Sequence, residues 1–152
     1  MKKGSVPFMR VLMLYDGLCG FCHGTVQWLL KHDKRDRFRF AAQQSDVAAE
    51  ILLRHGVERD EMLRTNSVYL VLDQGTSTER LLQRSDVTVQ SLLSLGGGWK
   101  ALGRCLQIVP RFVRDAAYNL VARNRYRLAG RYDACPIPTV AERAKFLGLT
   151  DL

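Results

Sequence analysis

Two cysteines separated by two residues, Cys19-Gly20-Phe21-Cys22, are the part of this sequence best equipped to do chemistry. They follow an apolar run and a tight turn, Asp16-Gly17-Leu18, and they open an amphipathic stretch. The first N–H groups of a helix have no intrahelical partners and lie at the positive end of its dipole. A cysteine placed there is stabilised as the thiolate, and its pKa falls. Cys19 takes that position and is expected to be the exposed nucleophile. Cys22 lies one turn further on, sharing a stripe with Val26 and Leu29, and is expected to be buried. Such a pair suits thiol–disulfide exchange: the thiolate attacks a substrate disulfide, and the sheltered thiol then resolves the mixed disulfide. Two core cysteines without chemistry are the plain alternative.

The neighbours have two readings each. Asp16 either relays a proton during exchange or bonds the amides of its own turn. His23, four residues after Cys19, either supports the thiolate when protonated or is a solvated surface residue. Cys135, in Asp133-Ala134-Cys135-Pro136, is a third redox thiol or an idle one, and Cys105 is most simply core. Between Lys100 and Arg131 stand eight basic residues and one acid, Asp115. If Arg123 and Arg127 turn toward the cysteines, they lower the thiol pKa and attract anionic substrates. Otherwise they belong to a solvated basic face.

The spacing also admits rivals. Cys19-Gly20-Phe21-Cys22-His23 matches the attachment signature of c-type haem, but no export segment accompanies it. Structural zinc needs four ligands, and Cys105 and Cys135 do not repeat the paired spacing. Neither a bound cofactor nor a metal is therefore expected. The main non-enzyme alternative is a nucleic-acid or anionic-surface binding module built on the basic C-terminal helix. No nucleic-acid motif is present, and stable nucleic-acid binding is not expected.

The elements that position the pair are legible. Val11 to Tyr15 is an apolar run suited to a buried strand, and Cys19 to about His32 has helical spacing. A strand over Phe38 to Ala42 and a helix from Val47 to about His55 follow. Val68 to Leu72 is a second clear strand, with Glu79 to Gln83 completing a hairpin. Ser85 is placed to cap a helix running to Leu95. The order β-α-β-α-β-β-α implies an α/β fold with a mixed sheet and helices on both faces. Beyond it come a helix over Trp99 to Gln107 and another starting at Pro110 and ending at Gly130. In that last helix Val109, Phe112, Val113, Ala116, Ala117, Leu120 and Val121 form an apolar stripe. The whole chain reads as one domain, with a core over about 10–95 and a C-terminal helical extension over about 99–150.

Composition sets outer bounds. The 152 residues are 47% hydrophobic and 25% charged, as in an ordinary folded protein. A net charge of +8 favours anionic partners, among them small anionic thiols. No stretch is long and apolar enough to span a bilayer, and the start lacks the features of a signal peptide. The sequence reads as cytoplasmic, a setting in which cysteines serve redox or metal chemistry more often than structural disulfides.

Asp16-Gly17-Leu18-Cys19-Gly20-Phe21-Cys22 resembles the D-x-x-C-x-x-C signature of the DCC family of thiol–disulfide oxidoreductases. The stretch from Tyr118 through Val121-Ala122-Arg123-Asn124-Arg125-Tyr126-Arg127 to Gly130, with Cys135 beyond, is similar to that family's C-terminal region. The resemblance implies a thioredoxin-like fold and thiol–disulfide exchange as the class of activity but supplies no substrate; the expected partner is a thiol or disulfide, either a protein or a small anionic thiol. One departure concerns the cis-proline that thioredoxin-like proteins usually place opposite the active site. The corresponding segment here is Leu63-Arg64-Thr65-Asn66-Ser67, without proline.

Overall fold

The computed structural model describes residues 11–64, 68–133 and 138–149. Strand β1 (Val11–Tyr15) is buried along its whole length, which explains why its sequence is apolar throughout instead of alternating. It is central. On one side it pairs in parallel with β2 (Phe38–Ala42), and on the other antiparallel with β3 (Tyr69–Leu72). β3 continues antiparallel into β4 (Arg80–Gln83). A two-residue strand, β5 (Phe146–Leu147), adds in parallel to β2. The sheet order is β4-β3-β1-β2-β5.

Period-two alternation along β1 sends its side chains into two cores. Val11, Met13 and Tyr15 pack with Cys22, Val26 and Leu29 of α1 (Gly20–His32) and with Val87 and Leu95 of α4 (Ser85–Leu95). Leu12 and Leu14 face the other way, onto Ala48, Ile51 and Leu52 of α2 (Asp46–Arg54). Full burial of a Val or Leu side chain contributes about 1.5–3 kcal/mol, so Val26 and Leu29 alone fix the face that α1 presents. A short helix α3 (Arg59–Arg64) follows α2, and α5 (Gly97–Ile108) and α6 (Arg111–Ala129) follow α4. This is the mixed α/β, thioredoxin-like arrangement expected, with helices on both faces of the sheet.

Several details differ from expectation. Ser85 does not cap α4. Arg84 holds the cap position at φ 58°, while the Ser85 hydroxyl donates to the Asp115 carboxylate on α6. Pro110 is the residue before α6 and not its first helical residue. Cys105 is exposed, because α5 meets α4 through the buried Gly103, where an added Cβ would stand 3.1 Å from Leu93 and 3.2 Å from Leu92.

The largest difference is in α6, whose apolar stripe is not core. Phe112 is 76% exposed and Leu120 65% exposed. The helix turns its polar side inward, because the buried Asp16, the partly buried Asp86 and a backbone amide need partners there. Arg114 reaches Asp86 at 3.5 Å, the Tyr118 hydroxyl accepts from the Val68 amide at 3.0 Å, and Arg125 is buried. α3 and β5 carried too little pattern to be read: one helix has six residues and the strand two.

Candidate active site

Cys19 is the N-cap of α1, with extended backbone at φ −90° and ψ 118°, and its Sγ accepts the Cys22 amide at 3.2 Å. The sulfur thus stands where a serine or aspartate oxygen commonly stands, in contact with a free helix-start N–H. The Cys22 thiol donates to it as well. That bond, the amide and the charge of Arg125 outweigh burial and the Asp16 carboxylate, and the Cys19 pKa falls to about 6. Cys22 moves the opposite way. Donation to Cys19, burial and the neighbouring negative sulfur all hold its proton on. One sulfur carries charge while the other keeps the proton.

Asp16 sits beneath the pair at the end of β1, 6% exposed and ringed by donors. Oδ1 accepts from the Leu18 amide at 3.0 Å and from Gln44 Nε2 at 2.9 Å. Oδ2 accepts from Arg125 at 3.0 Å and from the Tyr126 hydroxyl. Burial opposes ionisation, but these donors and the Arg125 charge prevail, and the Asp16 pKa lies below its usual value. Gln44 also accepts from the Gly17 amide at 3.1 Å, so one side chain ties the turn to its carboxylate. Arg125 lies over the Tyr126 ring at 4.8 Å.

The chain covers Cys19 with its own later segment. Arg131 forms an antiparallel bridge with Cys19, the Gly20 amide donates to Gly130 O at 3.1 Å, and the Tyr132 amide donates to Leu18 O at 2.7 Å. Cys19 is consequently 0% exposed, which corrects the expectation of an exposed nucleophile. The covering contact is non-local and leaves no mark in the Cys19 neighbourhood of the sequence. Gly20 makes it possible. A Cβ there would stand 2.2 Å from Ala129 O, well inside contact distance.

Of the remaining expected residues, His23 is half-buried and meets Tyr132 edge-on at 5.8 Å, beside the covering segment. Arg123 and Arg127 are exposed and do not turn toward the cysteines. They flank Arg125 at two residues, about 200° around the helix, so only one of the two phases can face inward. Arg125 was passed over, as were Gln44 and Tyr126. The available signal was the stripe Arg114-Tyr118-Arg125, whose spacing of four and seven places three polar side chains on one face. Cys135 and the segment at Thr65 to Ser67, where a cis-proline would stand, lie outside the described residues.

A cavity of about 530 Å³ opens beside Cys22, between α1, α4, α5 and α6. Its walls are mostly apolar, with Arg125 and Ser91 among them. Among the described residues, no group of three or more His, Cys, Asp or Glu side chains is placed to hold a metal ion, and no helix is long and apolar enough to cross a membrane.

Residues 13–131 match the family model described as DCC1-like thiol-disulfide oxidoreductase. Among curated proteins, a chloroplastic DCC family protein of Arabidopsis thaliana is 35% identical over 128 residues, covering 84% of this chain and 70% of its own. The protein YuxK of Bacillus subtilis is 31% identical over 147 residues, covering 97% of this chain and 99% of its own. No solved structure matches the chain significantly.

Proposed function

Since the chain belongs to the DCC1-like thiol-disulfide oxidoreductase family, we propose that it exchanges a Cys19–Cys22 disulfide or dithiol with a thiol or disulfide substrate. The observation that carries this reading is the split between the two sulfurs. Cys19 caps α1 with a pKa of about 6, whereas Cys22, one turn later, is held protonated. Exchange proceeds through a thiolate, and it is faster when the leaving sulfur has the lower pKa. A pair polarised in this way has its attacking or leaving sulfur, Cys19, and its proton carrier, Cys22, assigned in advance.

Asp16 acts here as a positioning residue. Fully engaged by Leu18, Gln44, Tyr126 and Arg125, it holds the Arg125 charge near the cysteines. Arg125 takes the part that Arg123 and Arg127 held in the sequence reading. A stabilised Cys19 thiolate favours the reduced pair and so raises the reduction potential, toward the oxidising end of the C-x-x-C range.

The test is the redox equilibrium of the pair in glutathione buffers, read by thiol alkylation and mass spectrometry. A reversible two-electron transition, absent in Cys19→Ser and in Cys22→Ser, is the expected result. A pair that stays reduced or stays oxidised across all glutathione ratios would sink the proposal.

A further inference from the structure

The two sulfurs differ in what they face as well as in charge. Cys19 is fully covered and is not among the residues that line the 530 Å³ cavity, whereas Cys22 forms part of its wall. That volume is in the range of small-molecule sites, which are typically about 300–1,000 Å³ and mostly apolar with a few polar groups. Met13, Trp28, Leu29, Val89 and Leu92 supply the apolar wall. Two lining residues, each more than nine-tenths buried, offer polar atoms that have no partner among the described residues: Ser91 Oγ and Arg125 Nε. The net charge of the chain favours small anionic thiols, but this cavity does not suit them, because a polar, multiply charged body would lose its hydration against an apolar wall.

Resting on the exchange chemistry above, we infer that the cavity binds a small thiol on an apolar body and brings it to Cys22, so that Cys22, not Cys19, is the sulfur that bonds the substrate. The steps balance. The substrate thiolate, drawn by Arg125, attacks Cys22 Sγ of the oxidised pair. A new S–S bond forms to Cys22, the Cys19–Cys22 bond breaks, and Cys19 leaves as the thiolate. A second substrate thiolate then attacks the substrate sulfur of the mixed disulfide. Cys22 departs and takes up one of the two protons the substrate thiols gave up on ionising, the other going to solvent, and the substrate disulfide leaves. Two thiols are oxidised, the pair is reduced by two electrons, and Cys19 retains the negative charge. The route uses the better leaving sulfur and the accessible electrophilic one, both of which speed exchange.

The experiment reacts oxidised full-length protein with ethanethiol, butanethiol, hexanethiol and glutathione at matched thiolate concentration, with acid quench and alkylation of free thiols. Rates should climb with chain length, approaching fourfold for each buried methylene, which is the fold-change that its transfer free energy of about 0.8 kcal/mol represents. Fragment masses should place the hexylthio group on Cys22 and the alkylating label on Cys19. Ala117→Trp, at the exposed rim of the cavity, should collapse the ratio of hexanethiol to glutathione rates. A hexylthio group on Cys19, or rates indifferent to chain length, overturns the inference. If the glutathione-buffer transition is present while the chain-length series is flat, the cavity assignment falls and the exchange reading stands. If the oxidised pair exchanges with none of the four thiols, both fall.

Discussion

Arg125 and Asp16 form an ion pair at 3.0 Å between side chains that are each 8% exposed, across 109 positions of sequence. It joins the end of β1 to α6 directly under the cysteines. Removing one partner of such a pair leaves a buried charge unanswered, at a cost of about 3–5 kcal/mol. Arg125→Met leaves Asp16 its bonds from Leu18, Gln44 and Tyr126, so it is expected to lower the unfolding free energy measured in urea by the lower end of that range. The double variant Asp16→Asn/Arg125→Met should lose less than the sum of the singles. Strict additivity would show that the two groups do not act on each other. Asp16 has a lowered folded pKa, so its contribution is complete above the ordinary carboxylate range and fades as pH falls through the folded value.

The ionisation of Cys19 can be followed in the reduced protein by thiolate absorbance near 240 nm. The midpoint should lie near pH 6. Cys22→Ala should raise it most, since the Cys22 thiol is the strongest support of the thiolate. Arg125→Met should raise it less, and Asp16→Asn should lower it, because the carboxylate opposes the thiolate charge. The sign for stability follows. A depressed pKa makes the reduced protein gain stability as pH rises from about 6 to the unfolded thiol value, and lose it as pH falls through 6. Urea midpoints of reduced protein should show that rise, and Cys19→Ser should lack it.

Much of the fold was legible because short-range pattern controlled it. The run Val11–Tyr15, the turn at Asp16-Gly17 and the helical stripe Cys22-Val26-Leu29 fix β1, α1 and the placement of both sulfurs without distant information. What sequence could not supply is non-local. Which arginine of α6 meets the site depends on where Asp16 lies after folding, and three arginines at alternate positions offer no local preference. The burial of Cys19 comes from Arg131, 112 positions away, through a backbone bridge that side-chain patterns do not encode.

Gly20 and Gly24 separate the packing role of a glycine from its backbone cost. Both lie in α1, but a Cβ on Gly24 meets nothing within 4 Å, whereas one on Gly20 collides with Ala129 O. Gly24→Ala should stabilise by about 0.5–1 kcal/mol, as expected in a helix interior. Gly20→Ala must displace backbone and should destabilise, by about 1–3 kcal/mol, the scale of overpacking. It should also expose Cys19, seen as faster alkylation by iodoacetamide at fixed pH. Equal effects of the two substitutions would rule out the covering segment as the reason for Cys19 burial.

The inverted amphipathicity of α6 gives a prediction opposite to the usual hydrophobicity rule. Phe112 and Leu120 are mostly exposed, so Leu120→Ser should shift stability by no more than about 0.5 kcal/mol, as surface changes do. Tyr118→Phe changes a single oxygen, but that oxygen accepts the Val68 amide at 3.0 Å just before β3. Its loss leaves a part-buried N–H without that partner, and about 1–3 kcal/mol should be lost. The polar substitution on the apolar face is thus expected to be milder than the apolar substitution on the polar face. If denaturation midpoints rank them the other way, the Phe112–Leu120 face is covered in solution and α6 packs through it. The exposed arginines Arg123 and Arg127 would then sit at an interface and not in water, and the salt dependence of the midpoint would rise with them.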